Sequence, residues 1–70
     1  MLYSVTVECL SKCISKEVDA ATELDAAIIV LKGLGCDCEY INSLAYLRFH
    51  IRLHYRIVIV IRRVSDGRIH

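Results

Sequence analysis

The chain contains no proline and only three glycines among its 70 residues. Flexible linkers and disordered segments are rich in one or both, so the sequence is that of a folded protein. No apolar run approaches the ~20 residues of a membrane-spanning helix, and we expect no membrane association. The opening Met1–Val5 lacks the basic residues and the apolar stretch of a secretory signal. These absences predict a cytoplasmic protein whose four cysteines stay reduced.

Apolar residues make up 56% of the sequence. Residues 1–70 form one small domain, and a chain of this size buries only about 60% of its unfolded surface. Such a high apolar content in so small a volume indicates either unusually good packing or apolar surface that a second copy of the chain covers, and we favour the second interpretation.

Charge is divided unevenly along the chain. Residues 1–42 carry three lysines and seven acids, a net charge of −4, whereas residues 43–70 carry six arginines and one acid, a net charge of +5. All three histidines lie in the second part. Segments of opposite charge indicate either a basic binding surface or mutual neutralisation, within one chain or between two.

The first half of the chain predicts a strand followed by a helix. Leu2–Leu10 alternates in polarity and contains the Val and Thr typical of strands, while residues 11–16 are compatible with strand or helix. Asp19–Lys32 carries apolar residues at spacings of three and four. Its N-terminal cap is either Asp19 itself or Thr22, and Gly33 fits the left-handed position after its last turn.

The second half predicts strands. Cys36–Ile41 is expected to form a short strand, followed by a turn at Asn42-Ser43. Leu44–Val64 then has strand character throughout and would span roughly 65 Å if straight. It must therefore bend, fold into a hairpin or extend across a neighbouring chain. We expect the fold class α+β: one helix on a small antiparallel sheet, in the order strand-helix-strand-strand, with the sheet completed by dimerisation.

Polar and apolar residues alternate without a break from Leu47 to Arg56. A period of two is typical of a strand with one buried and one open face. Only Arg and His occupy the open face, which predicts a surface for an anionic partner, either a nucleic acid or an acidic protein. The predicted anion-binding residues are Arg48, His50, Arg52, His54 and Arg56.

Ile57–Ile61 is apolar on both faces, as in a strand that is covered on both sides. One helix covers only one side, so either a partner subunit or a folded-back terminus must cover the other, and we expect a partner subunit. The predicted homodimer interface is Ile57, Val58, Ile59, Val60 and Ile61.

The cysteines and histidines predict no metal site. Cys9-x3-Cys13 lacks a turn and Cys36-x-Cys38 is too closely spaced for a zinc knuckle, so buried structural thiols are expected. His50 and His54 would lie ~13 Å apart on a strand, too far to share a metal. We expect no cofactor and no catalytic residue.

Three stretches resemble pieces of the RelE/ParE toxin family: Met1-x-Tyr3-x-Val5, Tyr55–Ile59 and Ser65–Ile69. Members of that family pack a helical hairpin on an antiparallel sheet, and some cleave ribosome-bound messenger RNA. The family's usual Gly-Asp before Tyr-Arg is replaced here by Leu53-His54. The resemblance implies that the residues to test for RNA cleavage are Arg48, Arg52, His54 and Arg56.

The expected function is that of a small, non-enzymatic homodimer that presents its Arg/His face to a nucleic acid or an acidic protein surface. One alternative is a RelE/ParE-like ribonuclease. The other is a structural assembly protein whose basic face is sealed by a neighbouring subunit.

Overall fold

The computed structural model describes residues 1–64 and contains two helices and three strands. The α+β class and the antiparallel sheet are confirmed, but the predicted element order agrees only roughly, because one strand and one helix are additional and the predicted strand at Cys36–Ile41 does not form. In chain order the elements are β1 (Leu2–Cys9), β2 (Lys12–Asp19), α1 (Glu23–Gly33), α2 (Leu44–Tyr55) and β3 (Ile57–Arg63).

The sheet is built around β1, which pairs antiparallel with β2 on one side and β3 on the other. The turn between β1 and β2 is only two residues long, Leu10 and Ser11, and Leu10 has a φ of 55°. Turns of this kind normally place Gly or Asn in the left-handed region. The turn residues Leu10 and Ser11 are therefore not of the types that predict a hairpin. For this reason the sequence of residues 11–16 is compatible with either a strand or a helix.

The predicted first helix is α1, which begins at Glu23 rather than at Asp19, and its N-cap is the second of the two predicted candidates. Thr22 is the N-cap, and its hydroxyl accepts from the amide of Asp25 at 3.1 Å. The left-handed residue after the helix is Gly35, with a φ of 91°, so the assignment of this role to Gly33 was wrong. The amide of Gly35 bonds the Lys32 carbonyl and that of Cys36 the Leu31 carbonyl, the pairing of a Schellman motif.

The predicted short strand at Cys36–Ile41 is wrong, because this segment is irregular. Its Cys36, Cys38 and Ile41 side chains are nevertheless buried in the core. The segment covers one end of the core without pairing to the sheet.

The predicted strand at Leu44–Val64 is wrong over its first 12 residues, which form α2. Ser43 is the helix N-cap, and its hydroxyl accepts from the amide of Tyr46 at 3.3 Å. Leu47 and Ile51, one helical turn apart, are fully buried. Arg56 ends the helix in the left-handed conformation and redirects the chain into β3. A helix shortens these residues to ~18 Å, which removes the size conflict of a long straight strand.

Both helices contribute to one core on a single face of the sheet. Ile57 and Ile59 lie in that core, at 6% and 2% exposed, so they are not available to a partner as the predicted interface required. Val58 and Val60 point to the opposite, uncovered face and are about half exposed. No helix within residues 1–64 is long and apolar enough to cross a membrane.

Candidate functional site

The helix α2 divides the five predicted anion-binding residues into two groups. The premise that they share one face of a strand is wrong, because successive helical residues are rotated by about 100° rather than 180°. Arg48, Arg52 and Arg56 follow one flank at spacings of four and line a common groove, whereas His50 and His54 do not line it. We call the first group the arginine row and the second the histidine flank.

The arginine row borders an open groove of about 720 Å³ between α2 and the start of β3. All three arginines are exposed. The floor and the other walls are apolar and consist of Phe49, Leu53, Ile57, Val58 and Ile59. The groove therefore combines guanidinium groups with apolar surface.

One member of the row is fixed to the sheet. The Arg48 guanidinium donates to the backbone carbonyl of Ile59 at 2.7 Å. β3 is an edge strand of the described sheet, so this carbonyl faces outward and would otherwise have no strand partner. The contact positions Arg48 over the edge while its other N–H groups remain free to donate.

The arginine row is not neutralised by acids of the described part of the chain. The two ion pairs found within residues 1–64 join the Met1 amine to Asp19 and Lys32 to Glu39, each at 2.6 Å. Residues 44–64 contain five arginines and no acid. The hydrogen bond and charge of Glu39 raise the pKa of Lys32. Within the described residues, acids therefore neutralise cations outside the arginine row.

Two apolar side chains beside the row are exposed where the alternation predicted burial. Phe49 is 60% exposed and Leu53 61% exposed. Phe49 stacks on exposed Tyr46, with ring centroids 6.4 Å apart and planes at 27°. The sequence signal for this exposure is the four-residue spacing of Leu47 and Ile51. Residues at that spacing share one side of a helix, and Phe49 and Leu53 lie away from that buried side.

The histidine flank lies on the other side of α2, against the irregular segment. The ring centroids of His50 and His54 are 4.7 Å apart. The separation of ~13 Å expected from a strand is therefore wrong. His50 Nε2 also lies 3.2 Å from the carbonyl oxygen of Asp37 and 3.4 Å from the hydroxyl of Tyr40.

The four cysteines do not converge. Cys9 and Cys13 project to opposite faces of the sheet, since Cys13 is paired with Glu8 in the register and Cys9 with Lys12. Cys36 and Cys38 are buried, and all four thiols are free. No cluster of three or more His, Cys, Asp or Glu side chains suited to a metal occurs among residues 1–64.

Burial raises the pKa of the Cys36 and Cys38 thiols. A thiol in the unfolded chain loses its proton at about pH 8.5, and the raised pKa means that these two thiols lose theirs at a higher pH in the folded state. The free energy of unfolding is therefore constant below that pH and falls above it. Between roughly pH 7.5 and roughly pH 9.5 we therefore expect the free energy of unfolding to decrease as the pH rises.

Urea unfolding at the two pH values measures this loss. The variants Cys36→Ala and Cys38→Ala should reduce the pH dependence, whereas Cys13→Ser, at an exposed thiol, should leave it unchanged. Equal pH dependence in all four proteins would show that the buried thiols do not cause it.

No protein-family model, curated protein or solved structure matches the chain. Of the stretches that resemble the RelE/ParE family, residues 65–69 lie outside the described part of the chain.

Proposed function

We propose that the protein is a non-enzymatic binding module for single-stranded nucleic acid, with the arginine row and its groove as the binding surface. The observation that carries this proposal is the unneutralised row Arg48, Arg52 and Arg56 beside exposed Phe49. Guanidinium groups bind phosphate through paired hydrogen bonds. Aromatic rings next to them provide stacking surfaces for bases.

The exposed aromatic residues favour a single-stranded nucleic acid over an acidic protein. An acidic protein surface requires only the cations, whereas unpaired bases also use the faces of Phe49 and Tyr46. A duplex keeps its bases stacked internally and leaves these rings unused. The proposal therefore predicts that single strands bind more tightly than duplexes of the same length.

Fluorescence anisotropy with a labelled single-stranded RNA, repeated over a range of salt concentrations, tests the proposal. We expect log affinity to fall linearly with log salt, with a slope of about −0.7 for each phosphate contacted. Shortened RNA in the same samples would support the ribonuclease alternative instead. Absence of binding to RNA and DNA at low salt would contradict the proposal and leave an acidic protein or a sealed assembly as the alternatives.

We also propose that the module is a homodimer, in which the uncovered sheet face of one chain packs on that of a second. The support is the pair Val58 and Val60, which are 50% and 48% exposed on that face. Packing two sheets face to face is a common way to remove such surface from water.

Sedimentation at micromolar concentration tests the dimer. Val60→Lys should give a folded monomer, because the new charge would be buried between the sheets. Ile29→Lys is the control, because Ile29 is 49% exposed on α1, and α1 packs on the opposite face of the sheet. A wild type that sediments as a stable monomer would contradict the dimer and leave the nucleic-acid proposal unaffected.

A further inference from the structure

The histidine flank has no part in the proposed nucleic-acid surface, yet its two imidazoles are closely paired. His50 and His54 are four residues apart on α2, and their ring centroids are 4.7 Å apart. Side chains at this spacing are neighbours on one helical face, which lets two imidazoles reach a common ion. His50 is partly exposed and His54 is exposed, so an ion can reach them from solvent.

Two oxygen atoms lie beside one of these imidazoles. His50 Nε2 is 3.2 Å from the Asp37 carbonyl oxygen and 3.4 Å from the Tyr40 hydroxyl oxygen. Tyr55 holds this part of the irregular segment against α2, because its hydroxyl accepts from the Asp37 amide at 3.0 Å. Because a carbonyl oxygen only accepts, the contact of His50 with the Asp37 carbonyl requires the tautomer in which His50 Nε2 donates to Asp37. His50 Nδ1 is then the ring nitrogen that can bind an ion.

We propose that His50 and His54 form a binding site for a divalent transition-metal ion. Two neutral imidazoles suit Ni²⁺, Cu²⁺ and Zn²⁺, whereas Mg²⁺ and Ca²⁺ require oxygen ligands. No third His, Cys, Asp or Glu side chain within residues 1–64 completes a cluster. Water fills the remaining coordination positions, and the site is accordingly an open one of moderate affinity.

Isothermal titration of the full chain with Ni²⁺ tests the site. We expect one ion per chain, at least ~tenfold weaker binding in both His50→Gln and His54→Gln, and no binding of Mg²⁺. The controls are Cys13→Ser, which removes an exposed thiol, and His70→Gln, which removes the third histidine. Neither control should change the affinity.

A rescue variant separates ligation from a general effect on folding. Tyr46→His combined with His54→Gln places a new imidazole four residues before His50 and should restore Ni²⁺ binding. Circular dichroism verifies that each variant is folded. Wild type that fails to bind Ni²⁺ at millimolar concentration, or His54→Gln protein that binds as tightly as wild type, would overturn the proposal.

Discussion

Leu47→Ala is expected to lower the free energy of unfolding by about 2–5 kcal/mol, the usual cost of truncating a fully buried leucine. Leu47 is 0% exposed and packs in the single core. A domain of this length is stable by only about 3–10 kcal/mol, so the variant should be partly or largely unfolded at room temperature. Urea unfolding followed by circular dichroism measures the change.

Phe49→Ala is the matched control for Leu47→Ala, and it distinguishes a helix from a strand. On a strand the two residues share a face and both truncations would be severe. On α2, Phe49 is 60% exposed, and its truncation should change stability by no more than about 0.5 kcal/mol. Comparable, large losses in both variants would show that this segment is not the helix described above.

Replacing Arg48, Arg52 and Arg56 together with Gln is expected to weaken binding to single-stranded RNA about 100-fold at low salt. Each of the three exposed guanidinium groups should contribute about 0.9 kcal/mol, near the upper end for exposed charge pairs, and the sum of about 2.7 kcal/mol corresponds to about 100-fold. The slope of log affinity against log salt should also become shallower by about two units, since three phosphate contacts are removed. The same anisotropy titration measures both quantities.

The control for the arginine variant is the replacement of Lys12, Lys16 and Lys32 with Gln, which changes the net charge by the same amount. These lysines lie on β2 and at the end of α1, away from the groove. We expect a small loss of affinity from the altered net charge. If the lysine variant loses as much affinity as the arginine variant, binding depends on net charge and the groove is not the site.

Arg48 needs a separate stability measurement, because its guanidinium also bonds the Ile59 carbonyl. Arg48→Gln should cost about 1 kcal/mol, the typical net contribution of one hydrogen bond. Arg52→Gln should cost less, because the Arg52 side chain is exposed and makes no hydrogen bond to the described residues. If the Arg52→Gln protein does not fold, the arginine row has a structural role, as in the alternative of an assembly protein whose basic face is sealed by a neighbouring subunit.

The sequence by itself determined the features that depend on neighbouring residues. Strand β1 and helix α1 follow from periodicity, and the N-cap of α1 follows from the Thr22 side chain. The basic character of the second half and the grouping of arginines near residues 48–56 follow from composition alone. These signals are local, so they are present in the sequence whatever the rest of the chain does.

Only the tertiary structure decided whether Leu47–Arg56 is a helix or a strand. The segment has apolar residues at every second position, and these include Leu47 and Ile51, which also satisfy the four-residue spacing of a helix. Both patterns bury those two residues, but only packing against the sheet decides that Phe49 and Leu53 remain outside. Asn42-Ser43, which indicated a turn, instead supplies the N-cap of α2.

The helical conformation of α2 also determined which residues form the candidate sites. A strand would have joined the arginines and histidines on one face, whereas the helix separates the arginine row from the histidine flank and brings His50 next to His54. The Leu10-Ser11 turn likewise had no sequence signal, because pairing of β1 with β2 holds Leu10 in a conformation that its side chain disfavours. At α2 and at the Leu10-Ser11 turn, strand pairing and core packing outweigh the local conformational preferences of the residues. Pairing and packing therefore determine which side chains come into contact.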